Sequence, residues 1–193
     1  MNTDPAFFES ELGAALDCLR CGGTLLYPTD TVWGLGCSAL DAAAIDRIYT
    51  IKKRPDSKSL IVLVASERDI LQYVAAPDLE VFTFMQQQER PTTVIFDGAL
   101  GLPDNLVAAD GSIAIRITRD PFCRALVKRL RAPLVSTSAN VSGEPAAAHF
   151  SEVSEAIRQG VDHIVRWRQD DVTAAQPSQI IRWEEGAPVF LRK

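Results

Sequence analysis

Cations and small hydroxyls gather in this sequence in places where they could hold an anion. Lys52, Lys53, Arg54 and Lys58 put four cations in seven residues against Asp56 alone. Arg116, Arg119, Arg124, Lys128, Arg129 and Arg131 put six in sixteen against Asp120. Between the apolar stretches lie Thr29-Asp30-Thr31, Ser57, Ser59, Thr92-Thr93, Ser136-Thr137-Ser138-Ala139-Asn140 with Ser142-Gly143, and Ser178. Hydroxyls beside Lys and Arg are ligands for phosphates and carboxylates: the cations neutralise charge while hydroxyls and loop amides fix orientation. Solvated faces and turn chemistry would explain either feature alone. Together they point to a site for an anionic ligand.

Missing motifs narrow the chemistry further. The chain has no G-x-x-x-x-G-K-[ST] loop, no G-x-G-x-x-G turn, no G-x-S-x-G elbow and no H-E-x-x-H, which disfavours the common nucleotide and hydrolase scaffolds. His149 and His163 are its only histidines, too few for a multi-histidine metal site, and His163 in an apolar stretch reads as a packed residue. Cys18 and Cys21 have metal-ligand spacing, but no second C-x-x-C supplies further ligands, so the pair reads as helix packing. No residue is assigned as a metal ligand.

The elements that must position these residues follow from periodicity and caps. Asp4-Pro5 caps a helix in which Phe8, Leu12, Ala15, Leu16 and Leu19 share a face until Gly22-Gly23 stops it. Thr24 to Tyr27 reads as a strand ended by Pro28, and Thr29 to Cys37 as a loop or second strand. Asp41 caps a helix that Pro55 ends, so the first basic cluster lies at a helix end and the loop beyond. Further strands are expected at Leu60 to Ala65, Thr92 to Phe96, Ser112 to Ile117, Leu134 to Thr137, His163 to Trp167, Ser178 to Trp183 and Val189 to Arg192. Helices are expected at Glu67 to Val74, Asp78 to Gln87, Asp120 to about Arg131, and Ser151 to Gly160. Such an order implies an α/β fold, a twisted open mixed sheet covered by helices, with the site in loops at strand ends.

Length and composition are consistent with that. The 193 residues carry a net charge of −5, with 47% hydrophobic and 23% charged residues, the balance of one globular domain spanning 1–193. Leu60 to Ala65 is the longest apolar run, far short of the roughly 20 residues a membrane helix needs. Asp4, Glu9 and Glu11 stand where a secretory signal would be basic and then apolar. A cytoplasmic protein with reduced cysteines and no membrane contact is expected.

Four stretches carry a resemblance. Tyr27-Pro-Thr-Asp-Thr-Val-Trp-Gly-Leu-Gly36, Lys52-Lys-Arg-Pro-Asp-Ser-Lys58 before an apolar strand, Ile115-Arg116, and Ser136-Thr-Ser-Ala-Asn-Val-Ser-Gly143 resemble, in order, the motif series of the YrdC/Sua5 family in its short single-domain form. The match runs from about Gly22 to the last strand. It implies a YrdC-like sheet with a concave basic groove, and an L-threonylcarbamoyladenylate synthase activity. That nucleotidyltransferase reaction joins L-threonine, bicarbonate or CO2, and ATP into threonylcarbamoyl-AMP and pyrophosphate. The product serves the threonylcarbamoyl modification of adenosine 37 in tRNA, through a downstream threonylcarbamoyl transferase complex. All reacting atoms belong to substrates, so the enzyme needs alignment and cations rather than a side-chain nucleophile.

Position by position, the resemblance implies threonine contacts at Thr31, Arg116, Ser138 and Ser178, with Arg116 suited to the amino-acid carboxylate. It implies ATP contacts at Lys52, Arg54, Lys58, Ser112, Asn140 and Arg192, Lys52 and Arg54 forming the family's K-x-R pair. Mg2+ is expected to accompany ATP, held by phosphates and water. The chain departs from the family at Arg90-Pro-Thr-Thr93, where P-G-P-[LV]-T is usual, and at Pro177-Ser-Gln179, where P-S-T is usual. Ser59 replaces a usual proline, and Leu63 a position that is histidine in some relatives. Two other readings stay open: a tRNA- or double-stranded-RNA-binding protein without this activity, and a paralogous carbamoyl-adenylate-forming enzyme with a different acceptor.

Overall fold

The structure, a computed structural model, describes residues 4–53, 60–173 and 175–193. Its first helix, α1 (Pro5–Arg20), begins where Asp4 Oδ1 accepts from Ala6 N at 2.9 Å. Two strands follow, β1 (Leu25–Tyr27) and β2 (Gly34–Ser38), and then α2 (Ala42–Lys52), capped by Asp41 Oδ1 on Ala44 N at 3.0 Å. After β3 (Ile61–Val64) come α3 (Glu67–Tyr73) and α4 (Glu80–Gln87). Next are β4 (Thr92–Phe96), β5 (Ile113–Ile117), α5 (Pro121–Leu130) and β6 (Leu134–Ser138). A short 3-10 turn (Phe150–Glu152), α6 (Glu155–Gly160), β7 (His163–Ile164), β8 (Gln179–Glu184) and β9 (Ala187–Arg192) complete the chain.

The strands form one mixed sheet in the order β7-β1-β2-β6-β3-β5-β4-β8-β9. Pairs β1/β7, β3/β5 and β4/β8 are parallel, and the rest are antiparallel. Because side chains alternate across a strand, the sheet buries two separate apolar layers. Leu26, Leu35, Val62, Val64, Val94 and Ile115 pack with α2, α3, α4 and α6 on one face. Leu25, Tyr27, Leu63 and Leu134 pack with α1 and α5 on the other. The second face is covered only in part, and its remainder floors the candidate site.

Two expectations needed adjustment. The helix expected from Ser151 to Gly160 is split, since Val153 is extended (φ −67°, ψ 123°) and buries its side chain, leaving a 3-10 turn before α6. The strand expected at His163 to Trp167 keeps only two residues, because β1 offers a short parallel partner there. His163 is half-buried. Cys18 Sγ faces Thr24 O at 3.7 Å, and all four cysteines are free thiols.

Candidate functional site

The open part of the second sheet face is a cleft of about 340 Å³. Its floor follows from strand register. Gly34 pairs with Ser138, Gly36 and Ile61 with Ser136, and Ile61 with Ala114, so these residues share the face. Further along, Arg116 pairs with Thr93, Thr93 with Ile180 and Ile180 with Arg192, extending one row across four strands. Gly34 keeps this floor low, and Gly36 beside it leaves room for the Tyr27 ring. A Cβ on Gly36 would lie 2.0 Å from Val135 O, and one on Gly34 2.9 Å from Thr29 Cγ2.

Arg116 is the buried cation of the cleft, only 4% exposed. Its Nη2 lies 3.1 Å from Asp30 Oδ1, and its Nε is buried without a hydrogen-bond partner. The other Asp30 oxygen, Oδ2, accepts from Arg119 N at 2.9 Å, which ties the loop after β1 to the end of β5. Thr31 stands in that loop through Thr29, whose Oγ1 accepts from Thr31 N and donates to Val32 O.

A second group of side chains closes the far wall. Thr93 and Ser178 hydroxyls, both buried, are 2.8 Å apart. Arg192 donates from Nε and Nη2 to Ser178 O at 3.0 and 2.8 Å. Next to it, Arg90 Nη2 donates to Pro177 O at 2.9 Å. Partial burial pushes the Arg192 guanidinium below its ordinary value, and the nearby Arg90 and Arg116 charges push the same way. Burial disfavours a charge of either sign, and it is the neighbouring Arg90 and Arg116 charges that would favour an anion here.

Two of the four departures from the pattern of the resembled family meet here. Gln179 Nε2 donates to Thr92 Oγ1 at 2.6 Å and to Gln88 Oε1 at 3.1 Å, while Arg90 grips the carbonyl of Pro177. The altered Arg90-Pro-Thr-Thr93 segment is thus bonded directly to the altered Pro177-Ser-Gln179 segment.

Of the residues singled out in the sequence, Thr31, Arg116, Ser138, Ser178 and Arg192 line this one cleft. Lys52 is placed differently. It is 1% exposed, and its Nζ donates to Ser138 O at 2.5 Å and Asn140 O at 2.7 Å, so it shapes the loop after β6 from behind. Asn140 turns its Nδ2 into the same loop, donating to Val141 O and Glu144 O at 3.0 and 2.7 Å. Ser112 donates to Asp110 Oδ1 at 2.6 Å and is not among the cleft residues. Arg54, Ser57, Lys58 and Ser59 lie outside the described residues. Asp30, Thr93 and Trp33 were not assigned roles from the sequence. Asp30 and Thr93 reach the site through partners distant in the chain, Arg116 and Ser178, and Trp33 lines the cleft directly.

A mixed sheet with helices on both faces, and one face left partly open around a buried arginine and paired hydroxyls, defines an α/β protein with a cleft suited to a small anionic molecule. The Sua5/YciO/YrdC family model, described as telomere recombination, matches residues 17–193, and the chain belongs to that family. It is 38% identical over 159 residues to a threonylcarbamoyl-AMP synthase of Xanthomonas campestris pv. campestris, covering 80% of this chain and 84% of the relative. A threonylcarbamoyl-AMP synthase of Idiomarina loihiensis is 34% identical over 164 residues, covering 82% and 86%. Among solved structures, P. abyssi Sua5 complexed with L-threonine superposes with a TM-score of 0.84 at 25% identity over 95% of this chain. The chain spans 54% of the length of that Sua5 chain.

Proposed function

We propose that this chain is a threonylcarbamoyl-AMP synthase, a nucleotidyltransferase that makes threonylcarbamoyl-AMP and pyrophosphate from L-threonine, bicarbonate or CO2, and ATP. The relatives named for this activity support the reading, and so does the Sua5 structure that holds L-threonine. The single observation that carries it in this chain is Arg116. It is a buried guanidinium, partly neutralised by Asp30 and with an unpartnered Nε, on a floor lined by Ser136, Ser138 and Ser178.

The residues then divide the work by chemistry. Arg116 binds the amino-acid carboxylate, since a planar guanidinium matches that group. Hydroxyls of Thr31, Ser138 and Ser178 orient the amine and the carboxylate formed on it by CO2. That new carboxylate attacks the α-phosphorus of ATP, and the bond to pyrophosphate breaks. Arg192 serves the nucleotide end, with Arg54 and Lys58 as the resemblance implies, while Lys52 and Asn140 hold the loop after β6 in shape and Ser112 stands outside the cleft. A fixed array of donors that stabilises charge building on phosphate supplies the catalysis, and no side-chain nucleophile is required.

Among the described residues no group of three His, Cys, Asp or Glu side chains is placed to hold a metal ion. Mg2+ would enter with ATP, on its phosphates, where it neutralises the leaving group. No helix among the described residues is long and apolar enough to cross a membrane. We place the reaction in the cytoplasm, ahead of a transferase that passes the threonylcarbamoyl group to tRNA. Pyrophosphate release tests the reading: it must require threonine and bicarbonate together. Release that continues when threonine is omitted would overturn it.

A further inference from the structure

A larger hollow, about 610 Å³, lies beyond the cleft at the far ends of β3 and β5. The cleft takes Ile61 from the start of β3 and the hollow takes Ala65 just past its end. Four residues of extended chain separate the two by roughly 13 Å. Ala65, Met85, Pro91 and Ile117 supply an apolar part of the hollow's lining, beside Ser66 and Thr92. Its rim carries Arg68 and Arg124, both exposed, whose side chains make no hydrogen bond or ion pair among the described residues.

Its walls are fixed by interactions that serve no part of the proposed reaction. Gln86 Nε2 donates to Glu67 Oε1 at 2.5 Å, joining α4 to α3. The Arg119 guanidinium donates to Gln88 O at 2.6 Å, Glu89 O at 3.1 Å and Met85 O at 3.4 Å, fastening the end of α4 to the end of β5. Two uncommitted arginines beside an apolar part of the lining suit a ligand with an acidic head and an apolar body. Glu67 among the lining residues disfavours a second negative charge.

The hollow shares two strands with the cleft. Thr92 and Ile117 line the hollow, while their neighbours Thr93 and Arg116 belong to the cleft side. Arg119 lines the hollow with its side chain and bonds Asp30 of the cleft through its backbone N. We infer that this hollow is a second ligand site, for an amphipathic anion with one acidic head and an aromatic or branched aliphatic body, coupled to the cleft through Thr92–Thr93 and Arg116–Ile117. The binding stands apart from the proposed reaction; the coupling rests on that reading of the cleft.

The test is a fluorescence titration of the full chain with anilinonaphthalene sulfonate, an aromatic monoanion. One dye should bind per chain, saturably. In the Arg68→Ala/Arg124→Ala variant its Kd should rise by about tenfold or more with unchanged circular dichroism and Tm, and Arg124→Lys should weaken binding less. Saturating threonine plus ATP should shift the dye's Kd in the unaltered protein by about fivefold or more. No saturable binding, or a Kd indifferent to the double variant, would overturn the site. A dye Kd unmoved by substrates would overturn the coupling, and thermal shift with threonine and ATP alone separates that outcome from substrates that do not bind.

Discussion

Asp30 and Arg116 face each other at 3.1 Å under the cleft, the arginine 4% and the aspartate 11% exposed by side chain. The contact is ionic without hydrogen-bond geometry, so the aspartate offsets the buried charge while leaving guanidinium donors for a ligand. Such a pair is costly to break from one side, because the remaining charge stays buried.

Asp30→Asn should therefore destabilise the protein by about 3–5 kcal/mol, read as a fall in Tm of about 2–4 °C per kcal/mol. A bound carboxylate returns the missing negative charge, so the deficit in Tm should shrink at saturating threonine. An equal deficit with and without threonine would show that no carboxylate reaches Arg116. Arg116→Gln, by the same logic, should lower kcat/KM for threonine by about a hundredfold or more.

Lys52 offers a sharp contrast between two roles. Its Nζ holds the carbonyls of Ser138 and Asn140, and deleting the ammonium strands both in a buried place at about 1–3 kcal/mol each. Lys52→Met should lower Tm and kcat together, and raising ATP should not restore the rate. A normal Tm with a raised KM for ATP would instead make Lys52 a direct phosphate ligand.

Acid stability should depend on Asp162, which joins β7 to α2 and β1. Its carboxylate accepts from Arg47 at 2.6 and 2.7 Å and from Thr24 N and Oγ1 at 2.7 and 3.0 Å. The Arg47 guanidinium, aided by Thr24, holds the carboxyl below its ordinary 3.8 against the opposing effect of burial. A lowered folded value means stability that is complete above the unfolded value and is lost as pH falls through the folded one. Thermal melts of Asp162→Asn between about pH 5 and pH 2 should fall less steeply than those of the unaltered protein. Parallel curves would remove Asp162 from the acid response.

The cysteines should react in an order set by exposure. Cys21 is exposed, Cys37 and Cys123 are buried, and burial pushes the Cys18 thiol up to about 11. Because the thiolate is the nucleophile, iodoacetamide at neutral pH should label Cys21 first and Cys37 and Cys123 only on unfolding, as peptide mass spectrometry would show. Early labelling of Cys123 would contradict its burial on the inner side of α5.

Much of the fold was legible because local chemistry and tertiary packing agree. Asp4, Asp41 and Asp120 each cap the helix their position predicts, and β4 spans the residues that its β-branched run marked. The site was legible where motif residues project from strands, as with Arg116, Ser138 and Arg192. It was not legible where pairing is distant. Thr93 and Ser178 are 85 residues apart, and nothing local ties Asp30 to Arg116. Lys52 shows a further limit, since the sequence gives its charge but not the two carbonyls that claim it.

The central claim is that this cleft joins a carboxylated threonine to the α-phosphorus of ATP. Incubation with 13C-bicarbonate, threonine and ATP followed by mass spectrometry of the nucleotides tests it most directly. The account predicts a threonylcarbamoyl-AMP adduct one mass unit heavier than with ordinary bicarbonate, which disappears when threonine is withheld. An unlabelled threonine–AMP adduct, or AMP with no adduct, would contradict it.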